Sequence, residues 1–138
     1  MTGSDAIAMP DGEPSAFMRA AGLQLDAVGP TAVTGRIDLG RQHHQPWGLV
    51  HGGVYTSAFE TAASVGASTA AAEHGLVAVG VNNNTNFLRS KSEGRVAVHA
   101  TAIQQGRTAQ LWEVRITDAD DRLVAIGQVR LQNVAPRT

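Results

Sequence analysis

The chain of 138 residues contains no cysteine. Disulfide bonds, a thiolate nucleophile and cysteine-ligated zinc are therefore excluded, and the composition fits a reducing compartment. Neither sign of charge dominates, because 11 basic and 12 acidic residues leave a net charge of -1. Such a balance provides no field suited to nucleic acid or to an anionic membrane surface. The sequence opens without a basic-then-apolar leader, so we expect a cytoplasmic protein that binds neither nucleic acid nor a membrane.

Charge is also scarce within one long segment. From Val54 to Ala72 the only charged residue is Glu60, which stands among small apolar and hydroxyl residues. The glycine pair 52–53 before the segment, Gly75 after it and the absence of proline predict a helix over 52–74. A helix that is apolar on every side is buried on every side, and a carboxylate there costs free energy unless it is paired or used. We therefore interpret Glu60 as a functional residue rather than a solvated surface one.

The rest of the chain predicts mostly sheet. Residues 1–13 are small, polar and punctuated by proline and glycine, which indicates a flexible tail before a single domain over 14–138. A short helix is predicted at 14–21, and strands are predicted at 31–39, 76–88, 96–104, 109–117 and 123–133. Tight turns between successive strands favour an antiparallel meander. The predicted fold class is α+β, with a sheet of five to six strands wrapped around one long helix.

The segment before the long helix carries the most specific motif. Gln45-Pro46-Trp47-Gly48-Leu49-Val50-His51-Gly52-Gly53 is followed by Glu60 and Ser64. This pattern resembles the hotdog-fold acyl-CoA thioesterases, of the 4-hydroxybenzoyl-CoA thioesterase type that uses a helix glutamate and of the phenylacetate-pathway type. The resemblance implies a hotdog fold, dimers that pair into a homotetramer, and hydrolysis of a small or aromatic acyl-CoA. Coenzyme A would enter as part of the substrate, with no bound cofactor.

The resemblance also implies roles for four residues, and His51 is a fifth candidate. Glu60 would be the catalytic carboxylate, which either attacks the thioester carbonyl or activates the attacking water. The backbone N–H of Gly52 would polarise the thioester oxygen, and Gln45 would help to hold the thioester. Ser64 would orient the water or the carboxylate. His51 would either contact the substrate or only cap the helix.

The spacing of these residues leads to a further hypothesis. A helix start presents unpaired N–H groups and a partial positive charge, which suit an oxygen that gains negative charge. Gly52 and Glu60 are eight residues apart, roughly 12 Å along one helix, so one carbonyl group cannot contact both. Two antiparallel helices would bring them together. Each site would then combine Gly52 and Gln45 of one subunit with Glu60 and Ser64 of its partner, which requires at least a homodimer.

A short basic segment follows the third predicted strand. In the resembling family, the segment that matches Asn86–Arg95 borders the nucleotide end of coenzyme A. Four basic residues could bind its phosphates there, namely Arg89, Lys91, Arg95 and Arg107. Relatives often carry histidine and proline where this chain has Phe87 and Ser90. A solvated hairpin turn is the alternative interpretation of the segment.

Two other types of site are disfavoured. His43 and His44 are adjacent, but no further ligands stand at useful spacing, so we assign no metal. No G-x-S-x-G elbow surrounds any serine, which disfavours a serine hydrolase. Two alternative functions stay open: an enoyl-thioester hydratase or dehydratase, which the same fold can support, and a non-catalytic acyl-CoA sensor.

Overall fold

The computed structural model describes residues 14–137, so the predicted tail at 1–13 lies outside the described residues. Residues 14–137 form two α-helices and six β-strands. The helices are α1 (Ala16–Ala21) and α2 (Gly52–Ala72). The strands are β1 (Gln24–Val28), β2 (Ala32–Leu39), β3 (Val77–Phe87), β4 (Gly94–Gln105), β5 (Ala109–Thr117) and β6 (Leu123–Val134).

All six strands form one antiparallel sheet in the order β1-β2-β4-β5-β6-β3. The predicted meander holds for β4, β5 and β6. It is wrong for β3, which pairs with β6 rather than with β4. The reason is that α2 packs against every strand and carries the chain to the far edge of the sheet. A six-stranded antiparallel sheet around one long helix confirms the predicted α+β hotdog fold.

One face of α2 packs into the sheet and forms the core. The buried residues on this face are Tyr55, Ala58, Phe59, Ala62, Ala63, Gly66, Ala67 and Ala71. They meet the inward-facing residues of the strands, of which Trp112 is the largest and is fully buried. The strands predicted at 31–39 and 109–117 are confirmed as β2 and β5, and every second residue of each is buried. The sheet therefore covers one flank of the helix.

The opposite flank of α2 is covered less well. Thr61, Ser64, Val65 and Ser68 stay partly exposed within one chain, so the burial expected on every side is not reached by a single copy. Strand β3 lies at the edge of the sheet and also exposes apolar side chains. No helix among residues 14–137 has the length and hydropathy needed to cross a membrane.

The bounds of the helices and strands lie close to those predicted from the sequence, and one strand was not predicted. Helix α2 begins at Gly52 as predicted and ends at Ala72, two residues before the predicted end, where a turn leads to Gly75 with a φ of 71°. Glycine accepts this left-handed conformation without strain. Strand β1 was not predicted, because Gln24–Val28 is short and mostly exposed.

Candidate active site

Glu60 lies in the middle of α2 on its partly exposed flank, and its side chain is half-buried. Its Oε1 accepts a hydrogen bond from Nδ2 of Asn83 at 3.3 Å, and the hydroxyl of Ser64 lies 3.5 Å from its Oε2. No ion pair involves Glu60 within the described chain. Within the described residues, the carboxyl group is therefore held by neutral groups alone.

Strand β3 supplies two neighbours of Glu60 that the sequence analysis missed. Asn83 is one of them, and its Nδ2 also donates to the carbonyl oxygen of Thr56 at 3.1 Å. Gly80 is the other: a Cβ atom added there would lie 2.9 Å from Cδ of Glu60, so the carboxyl group rests against bare backbone. The only sequence signal was the run of three asparagines at 82–84. It did not show which asparagine faces the helix.

The start of α2 presents the backbone amide predicted to polarise the substrate. His51 is the N-cap residue, and its Nδ1 accepts a hydrogen bond from the N–H of Gly53 at 2.8 Å. Of the two alternatives given for His51, the structure therefore shows the helix-capping contact. The N–H of Gly52 meets no acceptor within residues 14–137. The ring of Phe87 packs against Gly52, where a Cβ atom would lie 2.7 Å from Cζ.

A cavity of about 300 Å³ opens beside this helix start. Its lining includes Gln45, Gly52, Tyr55, Phe87, Arg89 and Lys91. Oε1 of Gln45 accepts hydrogen bonds from the backbone N–H groups of Trp47 at 2.6 Å and Leu49 at 3.3 Å. These bonds orient the side-chain amide of Gln45 and leave its NH₂ group available to a ligand.

Glu60 and Ser64 are absent from the lining of this cavity. The predicted site residues thus form two groups within one chain. Gln45 and Gly52 lie at the helix start, and Glu60 with Ser64 lies further along α2, roughly 12 Å from Gly52 by the rise of a helix.

The hydroxyl of Tyr55 is buried beside the cavity and has no hydrogen-bond partner among the described residues. Burial raises the pKa of Tyr55 to about 12, because the ionised phenolate loses its solvation there. The group therefore stays neutral under ordinary conditions. Its ring packs at 6.2 Å, centroid to centroid, against that of Phe87.

Two of the four predicted phosphate-binding residues line the cavity. Arg89 is exposed, whereas Lys91 is partly buried with its Nζ 3.5 Å from Oδ2 of Asp118. The side chain of Asp118 is only 1% exposed. Its pKa is lowered to about 2, first by a hydrogen bond from the backbone N–H of Arg122 and then by that of Asp120 and the Arg122 guanidinium. Lys91 is therefore anchored, and Arg89 is the more available cation.

The other two cations lie outside the cavity within one chain. Arg95 donates two hydrogen bonds to Asp38 on β2, at 2.7 and 3.1 Å, and this contact lowers the pKa of Asp38. Arg107 belongs to the turn between β4 and β5, at the opposite end of β4 from the cavity. The structure therefore does not bring Arg95 or Arg107 to the helix start.

The histidine pair takes part in structural contacts. His43 is buried, with Nδ1 accepting from the N–H of Gly40 at 3.3 Å and Nε2 lying 3.0 Å from the carbonyl oxygen of Ala20. Nε2 of His44 lies 2.7 Å from the carbonyl oxygen of Ser92. Within residues 14–137, no three histidine or acidic side chains are grouped as metal ligands would be.

Comparisons with known proteins point to one family. The family model described as the thioesterase superfamily matches residues 48–125. A Mycobacterium tuberculosis protein provisionally named an esterase is 47% identical over 118 residues, which are 84% of each chain. Its solved structure covers 90% of this chain and 100% of its own, with a TM-score of 0.85 and 44% identity.

Two more distant relatives have names that specify a thioester reaction. The 1,4-dihydroxy-2-naphthoyl-CoA hydrolase of Listeria monocytogenes is 35% identical over 107 residues, 78% of this chain and 86% of that protein. A thioesterase structure from Haemophilus influenzae shares 28% identity and a TM-score of 0.79, and covers 86% of this chain and 82% of that one.

Proposed function

Because the chain belongs to the thioesterase superfamily, we propose that it hydrolyses an acyl-CoA thioester to the free acid and coenzyme A. The observation that carries the proposal is the environment of the Glu60 carboxylate. This carboxylate is half-buried, held by Asn83 and Ser64, and not neutralised by any cation within the described chain. An anion kept in this way is suited to attack a carbonyl group or to take a proton from water.

Two routes fit this arrangement. In one, Glu60 attacks the thioester carbonyl carbon, the C–S bond breaks, coenzyme A leaves as a thiolate, and water hydrolyses the resulting anhydride. In the other, Glu60 takes a proton from water, the hydroxide oxygen attacks the same carbon, and the C–S bond then breaks to release the free acid and the coenzyme A thiolate. In both, the thioester oxygen gains negative charge that the N–H of Gly52 would stabilise, with the NH₂ group of Gln45 close by. A thiolate leaves readily, so the proposal needs no metal and no bound cofactor.

The site is proposed to be shared between two subunits. Glu60 is absent from the cavity that contains Gln45 and Gly52, and the helix spacing keeps it from the same carbonyl group. Strand β3 also leaves a sheet edge on which Val79 and Val81 are 49% and 58% exposed. A long edge with apolar side chains is usually covered, and a second copy of the chain would cover it. These features support a homodimer, which could pair further into a homotetramer.

The proposed substrate is a small or aromatic acyl-CoA. The cavity wall combines Tyr55, Phe87 and Leu88, which suit an apolar acyl or pantetheine segment, with Arg89 and Lys91, which suit phosphate. The Listeria relative acts, by its name, on an aromatic acyl-CoA. Hydrolysis of the 4-hydroxybenzoyl or phenylacetyl type remains part of this proposal.

The test is a panel of acyl-CoA substrates in which a thiol reagent reports released coenzyme A. We expect turnover of at least one aromatic acyl-CoA, and a loss of at least about a hundredfold in kcat for Glu60→Gln. Glu73→Gln is the matched control, because Glu73 is the exposed C-cap residue of the same helix. Retained turnover in Glu60→Gln would remove Glu60 from the mechanism. Hydration of an enoyl-CoA without hydrolysis, or binding without turnover, would favour one of the two alternative functions.

A further inference from the structure

A bulge in β3 decides which residues face Glu60. The pairing of β3 with β6 shifts register between Gly80 and Asn82, so Val81 is an extra residue on β3. Before the bulge the inward-facing residues are Ala78 and Gly80, and after it they are Asn83 and Thr85. Regular alternation would instead have continued inward at Asn82, because side chains in a strand alternate with a period of two.

The orientation of the Asn83 amide follows from its neighbours. The hydroxyl of Thr85 donates to Oδ1 of Asn83 at 2.7 Å. Nδ2 of Asn83 lies 3.1 Å from the carbonyl oxygen of Thr56 and 3.3 Å from Oε1 of Glu60. Both of these oxygens can only accept, so they require the NH₂ side of the amide. Thr85 and Thr56 thus fix an N–H donor against one carboxylate oxygen.

Gly80 bounds the same carboxylate from another direction. A Cβ atom at position 80 would lie 2.9 Å from Cδ and 3.2 Å from Oε1 of Glu60, and closer still to Oε2. A Cβ atom and the carboxyl group cannot share that space, so any side chain at position 80 would displace the carboxylate. The φ of Gly80 is not among the positive values, so close approach is the feature that requires glycine here.

We propose that Asn83 and Gly80 are positioning residues that hold the Glu60 carboxylate in its reactive orientation without neutralising it. The inference rests on the proposed role of Glu60 and adds how that side chain is oriented. An ammonium or guanidinium partner would also orient a carboxylate, but it would stabilise the anion against reaction. The neutral amide of Asn83 and the bare Cα atom of Gly80 orient the carboxylate and leave its negative charge available for reaction.

Asn83→Ala tests the amide, with Asn82→Ala as the matched control. Asn82 is the neighbouring asparagine, is exposed, and lies on the other face of the strand. We expect Asn83→Ala to lower kcat by about tenfold with KM unchanged, because the substrate contacts at Gln45 and Gly52 are left intact. Asn82→Ala should stay within about twofold of the wild type. An unchanged kcat in Asn83→Ala, or an equal loss in both variants, would overturn the role of Asn83.

Gly80→Ala tests the close approach. We expect a loss of about a hundredfold in kcat, because misplacing a reacting group by about 1 Å can cost that much. Glu60→Asp shortens the acid and withdraws it from position 80, so Gly80→Ala should change kcat by no more than about twofold in that background. Fully additive losses would show that Gly80 does not act through Glu60.

Crystal structures of the two variants give a readout that does not depend on turnover. The Glu60 carboxyl group should be displaced in Gly80→Ala and should lose its single orientation in Asn83→Ala. A carboxyl group that stays in place in both variants would overturn this inference alone. Retained turnover in Glu60→Gln would instead overturn the proposed function, so the two failures are distinguishable.

Discussion

The indole ring of Trp112 lies directly on Gly66, and this contact sets how closely α2 approaches β5. A Cβ atom at position 66 would lie 2.8 Å from Cζ3 of Trp112 and 2.9 Å from Cγ2 of Val33. The ring cannot move away easily, because its Nε1 donates to Oε1 of Gln110 at 2.9 Å. Gln110 in turn donates to the carbonyl oxygen of Ala67 on α2 at 3.0 Å. Glycine at position 66 therefore makes room for the side chains of Trp112 and Val33.

Gly66→Ala is expected to destabilise the protein by about 1–3 kcal/mol, because the added methyl group forces a fully packed core apart. Urea unfolding followed by circular dichroism measures the change. Thr69→Ala is the control on the same helix, since Thr69 is exposed, and it should stay within about 0.5 kcal/mol of the wild type. Equal stability of Gly66→Ala and the wild type would show that the core relaxes around the new methyl group.

Mixed dimers test whether the site is shared. Glu60→Gln and Gln45→Ala subunits should each be inactive alone, since each lacks one half of the proposed site. When they are unfolded together and reassembled, half of the dimers are mixed and each mixed dimer holds one intact site, so about a quarter of wild-type activity should return. The activity of the reassembled mixture checks this, and mixed dimers purified with two different tags should show about half of the wild-type activity. No recovery would place the whole site within one chain.

Arg89→Ala is expected to raise KM for an acyl-CoA by about tenfold with little change in kcat, because a phosphate contact binds substrate and transition state equally. Arg95→Ala provides the comparison, since Arg95 is paired with Asp38 and lies outside the cavity. Initial rates at varied substrate and salt concentrations measure both. A rise in KM for Arg95→Ala as large as that for Arg89→Ala would show that the phosphate groups do not bind at Arg89 specifically.

The lowered pKa of Asp118 predicts that the protein loses stability in acid. The folded-state pKa of this residue is about 2 against an ordinary 3.8, since backbone N–H groups and Arg122 favour the ionised form. A carboxyl group whose pKa is lowered by folding stabilises the folded state at pH values above its unfolded-state pKa. That contribution is lost as the pH falls from about 4 to about 2. Unfolding free energies measured across this range should fall more steeply for the wild type than for Asp118→Asn. Parallel curves would assign the acid sensitivity to other groups.

Tyr55→Phe should stabilise the protein by about 1 kcal/mol, because it removes a buried hydroxyl without a partner. The residue is the only tyrosine in the sequence, so its absorbance reports one titration. That titration should have a midpoint near pH 12 in the folded protein, against an ordinary 10. Destabilisation by Tyr55→Phe would indicate that the hydroxyl finds a partner in the assembled protein.

The sequence by itself determined most of the helices and strands and half of the candidate site. The run of small residues predicted α2 to within two residues, and alternation predicted the buried faces of β2 and β5. The lone charge drew attention to Glu60, and the motif named Ser64, whose hydroxyl lies 3.5 Å from the Glu60 carboxyl group. These features depend on neighbours within a few residues along the chain, which is the range over which helix and strand periodicity acts.

Tertiary structure alone decided the order of the strands and the surroundings of Glu60. The pairing of β3 with β6 joins residues about fifty positions apart, and the bulge at Val81 exists only in that pairing. The bulge turns Asn83 and not Asn82 toward the helix, and three consecutive asparagines give no local reason to choose between them. Strand partners and register are set by long-range packing, so the residues that hold the carboxylate could be identified only in the folded chain.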